Sequence, residues 1–141
     1  MKTRLLFFIL LLCASVLQLH AQTENPEMKA VEKTLRAYME GDSLQFASAF
    51  HPEGQMMYIK DEKLTVVPLS EFRTRGKNGK KPERKTRILG IQIYGNAAQA
   101  QLELETSELI FHDYMSLLKT PEGWKIVSKI FYREDKKKGG S

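Results

Sequence analysis

The order of local signals along the chain constrains its fold most: helix signals come first and strand signals follow. Asn25-Pro26-Glu27 combines a capping amide, a proline in the first helical turn and an acid at the positive helix end. Apolar residues then recur at helical spacing until Gly41, where we expect the first helix to end. Asp42-Ser43 can cap a second short helix. We expect His51-Pro52 to terminate it, because proline disfavours helical backbone at the preceding residue.

The remainder of the chain has the pattern of strands separated by turns. Lys60-Asp61-Glu62-Lys63 lies between two short apolar runs and predicts a hairpin, and Pro68 to Phe72 predicts one helical turn. Thr120-Pro121-Glu122-Gly123 is a strong turn signal before the last strand. The predicted strands cover residues 55–59, 64–67, 85–94, 98–106, 109–119 and 124–132. Helices followed by about five or six antiparallel strands indicate an α+β domain with the helices packed on one face of a sheet.

The first 21 residues have the three-part pattern of a secretory signal. Lys2 and Arg4 form a positive start, and 13 residues from Leu5 to Leu17 are apolar except for one serine. Small Ala21 then precedes polar residues. Thirteen helical residues rise only about 20 Å, less than the roughly 30 Å hydrocarbon core of a bilayer. We therefore expect cleavage after Ala21, a secreted or periplasmic location, and no transmembrane span in the mature chain.

Removing this segment changes the composition that bears on function. Lipidation at Cys13 is the alternative to cleavage after Ala21, and Leu11 and Leu12 disfavour it because lipoprotein signals have small residues there. The mature chain has no cysteine, which excludes a disulfide framework, a thiol nucleophile and a thiolate metal site. It keeps 20 of the 22 basic residues and all 17 acids, a net charge of +3. We expect one domain over residues 22–135 and a disordered basic tail over 136–141.

Three segments, by their order and spacing, carry a family resemblance. The first is Tyr38-Met39-Glu40-Gly41-Asp42 with Phe46 and Phe50-His51-Pro52-Glu53 after it, the second is the alternating strand headed by Asp113, and the third is the closing segment from Glu122 to Phe131. Together they resemble the nuclear transport factor 2-like superfamily of cone-shaped, cystatin-like α+β proteins. Within it, the chain resembles the exported family labelled "putative lumazine-binding", whose members end in a similar Trp-Lys-Ile-Val-Ser-Lys segment. The resemblance covers residues 26–134.

The resemblance implies a curved antiparallel sheet that encloses, with the helices, a conical pocket open at one end. That fold carries isomerases, dehydratases, cyclases and binding-only domains, so it does not choose a function. Ketosteroid-isomerase-type members use an Asp base near the end of the first strand, a helix Tyr and a protonated Asp on a later strand. Counted from Gly41-Asp42, the first two positions fall on Tyr58 and Thr34, and only Asp113 matches. Tyrosine is a poor base at neutral pH because its ordinary pKa is near 10.

The candidate pocket residues combine this resemblance with strand alternation. Asp113, Met115 and Leu117 share one face of their strand. If that face lines the cone, Asp113 is a neutral donor or a weak acid–base group. The alternative is a structural carboxylate bonded to a neighbouring strand or to Trp124. The pocket-lining candidates are Tyr58, Asp113, Met115, Trp124 and His51.

The histidines give no metal signature. His51 and His112 are the only two after residue 21, and His112 is adjacent to Asp113, so these neighbours point to opposite faces of a strand. The chain has no HExxH or paired-histidine spacing. We therefore expect no metal and no cofactor.

A basic stretch separates the two halves of the predicted sheet. Eight basic residues and one acid lie between Arg73 and Arg87, so this stretch holds the positive excess of the mature chain. It is either an anion-binding loop or a solvated connection whose charges protect a sheet edge. The anion-binding candidates are Arg73, Arg75, Lys77, Lys80 and Lys81. Aromatic residues are not interleaved with the basic ones, so we expect no nucleic-acid partner.

Two functions remain open from the sequence. One is an exported module that binds a small ligand or a partner without catalysis. The other is a small cofactor-free isomerase, dehydratase or polyketide-cyclase-like enzyme that uses Asp113, with Tyr58 or His51. Catalysis requires at least two polar groups that converge on one point. The superfamily resemblance also implies a possible homodimer through the open face of the sheet.

Overall fold

Two helices precede six strands in the computed structural model, which describes residues 25–75 and 81–136. The helices are α1 (Pro26–Glu40) and α2 (Ser43–Ser48), and one further helical turn, α3 (Leu69–Phe72), follows the second strand. The strands are β1 (Phe50–Lys60), β2 (Lys63–Pro68), β3 (Lys85–Tyr94), β4 (Ala97–Glu105), β5 (Leu109–Thr120) and β6 (Gly123–Asp135). The predicted signal segment lies outside the described residues.

Helix α1 begins and ends where the sequence predicts. The Asn25 side chain accepts a hydrogen bond from the Glu27 backbone N–H, which caps the helix. At the other end Gly41 has an extended φ of −71°, so positive φ is not the reason for glycine here. A Cβ at Gly41 would lie 2.3 Å from the Ala37 carbonyl oxygen. The chain therefore needs glycine at this helix end for space.

The six strands form one curved sheet in the order β2-β1-β6-β5-β4-β3. Neighbouring strands are antiparallel except β1 and β6, which are parallel, so the expectation of a wholly antiparallel sheet is wrong at that pair. The prediction that His51-Pro52 ends a helix is also wrong. Helix α2 ends at Ser48, and His51 to Gly54 belong to β1. Proline tolerates this position because extended backbone suits its fixed φ.

The core lies between α1 and the inner face of the sheet. Val31, Leu35 and Tyr38 recur along one face of α1 and are buried. Alternate residues of β4 and β5 face them and are also buried. These are Ala98, Ala100, Leu102, Leu104, Asp113, Met115 and Leu117. Within the described part of the chain, no helix is long and apolar enough to cross a membrane.

A β-bulge in β6 determines which of its side chains face the core. Ile126 and Lys129 are three residues apart, yet both are buried, which strict alternation does not allow. The register of β6 against β5 shifts between Ser116 and Leu117, and this extra residue reverses the alternation. Gly54 of β1 packs against the same place. A Cβ there would lie 2.4 Å from the Val127 carbonyl oxygen.

Candidate functional site

Three polar side chains meet between helix α1 and the inner face of the sheet: Tyr38 from α1, Asp113 from β5 and Lys129 from β6. We call them the inner polar cluster. Asp113 is completely buried, and the exposed fractions of Lys129 and Tyr38 are 3% and 4%. Lys129 is diagonal to Asp113, because Asp113 pairs with Phe131 and Lys129 with the next inward residue of β5. The bulge of β6 therefore brings the ammonium group to the carboxylate.

The contacts within the inner polar cluster form a closed triangle. The Tyr38 hydroxyl donates to Asp113 Oδ2 at 2.6 Å, and Lys129 Nζ donates to the Tyr38 hydroxyl oxygen at 3.1 Å. Lys129 Nζ also forms an ion pair with Asp113 Oδ1. That oxygen accepts no hydrogen bond of ordinary geometry from the described residues, although it is buried. Asp113 Oδ1 is thus held by charge and keeps acceptor capacity.

Burial sets the protonation of two members of the inner polar cluster. It lowers the pKa of Lys129 from 10.5 to about 8, while the neighbouring Asp113 carboxylate acts in the opposite direction. Burial, and then the negative charge of Asp113, raises the pKa of Tyr38 well above its ordinary value of 10. At neutral pH the Tyr38 phenol is consequently a proton-bearing donor, and part of the Lys129 population is a neutral amine.

Arg84 joins the cluster to the end of helix α1. Its Nε and Nη2 atoms donate to the carbonyl oxygens of Met39 and Tyr38 at 2.9 and 3.0 Å. A cation at this position stabilises the negative end of the helix, which has no basic residue in its own last turn. The guanidinium also lies 5.4 Å from the centre of the Tyr38 ring. Arg84 therefore positions Tyr38, and burial lowers the pKa of Arg84.

Three half-buried aromatic rings continue from the inner polar cluster. Phe131 lies beneath Lys129, with Nζ 4.8 Å from its ring centre. Tyr58 stacks on Phe131 at 4.8 Å, and Phe111 is tilted against it at 6.0 Å. The three rings come from the end of β1, the start of β5 and the last half of β6, which lie at the same end of the sheet. We call them the aromatic rim.

The structure brings some of the predicted pocket residues together and separates others. Asp113 and Met115 are buried side by side on the inner face, and Tyr58 belongs to the aromatic rim. Trp124 is buried nearer the other end of the sheet, where its Nε1 donates to Glu27 at 2.8 Å. His51 lines a separate surface groove of about 300 Å³.

The basic candidates do not converge on the inner polar cluster. Arg73 lines the same small groove as His51, whereas Lys81 lines a groove along the outer side of α1. Arg75 pairs with Glu71 at 3.1 Å. The other two anion-binding candidates, Lys77 and Lys80, lie outside the described residues. The larger grooves are also away from the cluster, and one of about 570 Å³ lies on the outer face of the sheet.

Histidine and carboxylate placement gives no metal centre in the part of the chain that the structure describes, since no three such side chains are grouped to hold an ion. His112 is on the outer face, as alternation predicts. Its Nε2 lies 3.1 Å from Glu134, and its ring stacks on Tyr132.

Sequence patterns do not single out three residues of this site: Tyr38, Lys129 and Arg84. Tyr38 was an apolar-face residue of a helix, and counting from Gly41 placed the helix tyrosine role at Thr34 instead. Thr34 donates its hydroxyl to the Trp124 carbonyl oxygen at 3.1 Å. Lys129 and Arg84 had no signal that separated them from exposed basic residues.

Comparison with known proteins agrees with this architecture. Residues 26–132 match the model of the family described as "Putative lumazine-binding", which is most of the chain. The chain belongs to this family. A crystallised ntf2-like protein from Shewanella baltica has a similar fold and is 30% identical. The match covers 80% of this chain and 98% of that one, with a TM-score of 0.69.

Two further relatives extend the comparison. An ntf2-like protein from Methylobacillus flagellatus is 26% identical, with 80% of this chain and 96% of that chain covered and a TM-score of 0.67. An aldolase, FrzH from a Cladobotryum species, is 25% identical over 115 residues, which are 77% of this chain and 92% of the aldolase. This chain is thus similar, over most of the aldolase's length, to a protein for which an enzymatic activity is named.

Proposed function

We propose that the protein binds a small ring-containing molecule inside the cone, with the inner polar cluster at the polar end of the site. The observation that carries this proposal is the convergence of three buried polar side chains next to half-buried aromatic rings. Asp113 Oδ1 is paired with the Lys129 ammonium group alone, and a carboxylate oxygen has further acceptor capacity that a ligand N–H or O–H would use. The Tyr38 hydroxyl and Lys129 ammonium are donors that suit a carbonyl oxygen.

The aromatic rim supports the proposal that the ligand contains a ring. Small-molecule sites combine apolar and aromatic walls with a few convergent polar groups. A flat ring could stack on Tyr58 or Phe131 while its carbonyl and N–H edge reaches the inner polar cluster. Lumazine, which the family label names, has both groups on one ring system. It is therefore the first ligand to test.

NMR of methionine methyl groups can report ligand binding at the inner polar cluster. Met56 and Met115 are the residues opposite Lys129 on its two neighbouring strands. Met57 is the matched control, since it pairs with Ile130 on the outer face. With ¹³C-methyl-labelled protein and either lumazine or benzaldehyde, a second small ring compound with a carbonyl group, we expect saturable shifts at Met56 and Met115 and none at Met57. Met56 decides the test, because Met115 also lines a groove on the outer face of the sheet. The absence of a shift at Met56 would contradict the proposal.

A second candidate function is acid–base catalysis at the same site by a small cofactor-free enzyme, such as an isomerase, dehydratase or cyclase. The mutual geometry of Tyr38, Asp113 and Lys129 favours it, because a donor and an acceptor lie within hydrogen-bond distance of each other. The aldolase relative adds an example of catalysis in a chain of similar length. Turnover that is lost in Tyr38→Phe, while that variant still gives the ligand-dependent shift at Met56, would distinguish this function from binding alone.

We also propose that the mature protein is exported after cleavage behind Ala21. The positive start, the short apolar run and the small residue at the end of the segment support this. Mass spectrometry of the protein from the extracellular or periplasmic fraction should give a chain that begins at Gln22. A chain that retains Met1 in the cytoplasmic fraction would contradict export.

A second copy of the chain is the expected partner for the outer face of the sheet. That face exposes large apolar side chains close together on β1, β2, β5 and β6. They are Ile59, Leu64, Val66, Tyr114, Leu118, Ile130 and Tyr132. Groups of this kind commonly mark an interaction surface. Sedimentation equilibrium should show a dimer that Ile130→Lys converts to monomer, and a monomeric wild-type protein would contradict this.

A further inference from the structure

Lys129 is the one lysine among the described residues whose side chain is buried in the core. We propose that Lys129 captures a small aldehyde or ketone as an imine, with Asp113 as proton acceptor and Tyr38 as proton donor. This inference rests on the proposed ligand site and names the chemical class of the ligand.

The three groups that imine formation requires are already in contact. Lys129 Nζ lies against Asp113 Oδ1, which can take a proton from the ammonium group. The Tyr38 hydroxyl is 3.1 Å from Nζ, close to where the oxygen of a bound carbonyl compound would be when its carbon faces the amine. Its 2.6 Å hydrogen bond to Asp113 Oδ2 links donor and acceptor, so the proton that Asp113 receives can be returned through Tyr38.

The reaction balances without any co-reactant. Lys129 first loses one proton to Asp113, and the neutral amine then forms a C–N bond to the carbonyl carbon while Tyr38 protonates the oxygen. The carbinolamine nitrogen then returns a proton to the Tyr38 phenolate. Asp113 passes the proton that it received back through Tyr38 to the hydroxyl group, which leaves as water and gives an imine that carries one proton on nitrogen. One carbonyl compound and one ammonium group therefore give one protonated imine and one water molecule, and Asp113 and Tyr38 end in their initial states with no change in oxidation state.

The surroundings of Lys129 favour the neutral amine that the first step needs. The charged and titratable groups that face it are Asp113 from β5, Tyr38 from α1 and Arg84 from the segment before β3. Phe131 on its own strand contributes only an apolar ring. At pH 7 a pKa of about 8 instead of 10.5 leaves roughly 300 times more of the amine neutral.

The aromatic rim indicates which carbonyl compounds fit. Phe131 lies directly beneath Nζ, and Tyr58 stacks on its ring, so the approach to the amine is apolar and flat. A carbonyl group attached to an aromatic or similarly apolar body would keep its ring on the rim and its carbon at the amine. Benzaldehyde is the smallest compound of this kind and is the probe for the test.

The test is reductive trapping of the purified protein with benzaldehyde and sodium cyanoborohydride at pH 7, followed by peptide mass mapping. Lys119 is the matched reference because it lies on β5 and its side chain is 48% exposed. The rings of the aromatic rim must part to admit benzaldehyde, which slows the reaction at Lys129. We therefore expect the rate ratio between Lys129 and Lys119 to be smaller than the ratio of their neutral fractions. The adduct should still form about 10-fold or more faster on Lys129 than on Lys119. Labelling of Lys129 should reach half its maximum near pH 8.

Variants separate the chemistry from folding. Lys129→Arg should abolish fast adduct formation at position 129, whereas Lys119→Arg should leave the rate of adduct formation on Lys129 unchanged. Tyr38→Phe keeps the ring packing and removes the donor, so it should slow trapping by about 10-fold or more. The wild-type map and its pH profile test the proposal even where a variant fails to fold.

The possible outcomes discriminate between the two proposals. Adducts at equal rates on surface lysines and on Lys129 would overturn the imine. Benzaldehyde-dependent shifts of Met56 and Met115 without an adduct on Lys129 would overturn the imine but leave the ligand site standing. Absence of both shifts and adduct would overturn both proposals.

Discussion

The strongest energetic consequence of the structure is that Asp113 and Lys129 should depend on each other for stability. Asp113→Asn leaves an ammonium group that is 3% exposed without its carboxylate. Lys129→Met leaves a buried carboxylate that retains only the hydrogen bond from Tyr38. Each single change should therefore destabilise the fold. The double change removes both charges and keeps an acceptor for the Tyr38 hydroxyl.

The expected magnitudes follow from the burial of the pair. Breaking a buried ion pair by removing one partner costs about 3–5 kcal/mol when the remaining charge stays ionised. Lys129 has a less costly alternative, because an ammonium group with a pKa of about 8 can lose its proton at pH 7 for about 1.4 kcal/mol. This deprotonation limits what the orphaned Lys129 can cost in Asp113→Asn. Replacing the whole pair by uncharged residues should be nearly neutral. The coupling free energy between the two sites is thus expected to be about 1–1.5 kcal/mol in magnitude.

Urea unfolding monitored by the single tryptophan measures this coupling. Trp124 is 4% exposed in the folded protein, so its emission should shift on unfolding. Glu71 and Arg75 provide the control cycle. They are paired at 3.1 Å, but their side chains are 63% and 51% exposed, and such exposed pairs contribute about 0.2–1 kcal/mol. A coupling for Asp113 and Lys129 that is no larger than that of the control pair would refute the view that they form a buried interdependent pair.

Two further predictions concern the bulge and the titration of the cluster. Gly54→Ala should destabilise the protein by about 1–3 kcal/mol, because its Cβ would lie 2.4 Å from a backbone oxygen. A Cβ at Gly90 would meet no atom within 4 Å, so Gly90→Ala should be nearly neutral in the same urea assay. Equal effects of the two changes would contradict the packing at the bulge. Because burial holds the pKa of Lys129 at about 8, below its unfolded value, the folded state binds this proton less tightly and stability should rise with pH. Relative to Lys129→Met, the wild-type protein should gain about 2 kcal/mol between pH 7 and 9.5, and a constant difference would show that the pKa of Lys129 is not lowered.

Local signals in the sequence predict the secondary structure of the helical entry and the turns. Asn25 caps α1 as expected, and the Lys60–Lys63 segment makes a tight hairpin turn in which Asp61 and Glu62 have φ values of 49° and 62°. Gly123 also has a positive φ of 102° before β6. These features depend on the backbone preferences of residues near one another in the chain, so they are visible without tertiary information.

The identity of the buried lysine could not be predicted in the same way. Alternation from Trp124 and Ile126 places Ser128 and Ile130 in the core and Lys129 in solvent. The bulge inverts this, so Lys129 is buried and 48% of Ile130 is exposed. A bulge depends on how two strands pair and on Gly54 in a third strand, and no residue within β6 signals it.

For Asp113, strand alternation predicts the face of the sheet but not the interaction partners. It predicts correctly that Asp113 and Met115 share the inner face, because the register of β4 and β5 is regular between them. The partners of Asp113 come from residues 75 and 16 positions away, on α1 and β6. The contact with Tyr38 depends on how α1 lies across the sheet, which local patterns do not determine. An apolar helix face that contains one phenol is nevertheless a signal, since a buried hydroxyl requires a partner.

The measurement that tests the central claim most directly is a crystal structure of the protein grown with lumazine. The claim is that the inner polar cluster is the ligand site, so lumazine should lie within hydrogen-bond distance of Asp113 Oδ1 with its ring against Tyr58 or Phe131. The competing location is the groove of about 570 Å³ on the outer face of the sheet. Lumazine bound only in that groove, with the triangle of Tyr38, Asp113 and Lys129 unchanged, would contradict the claim.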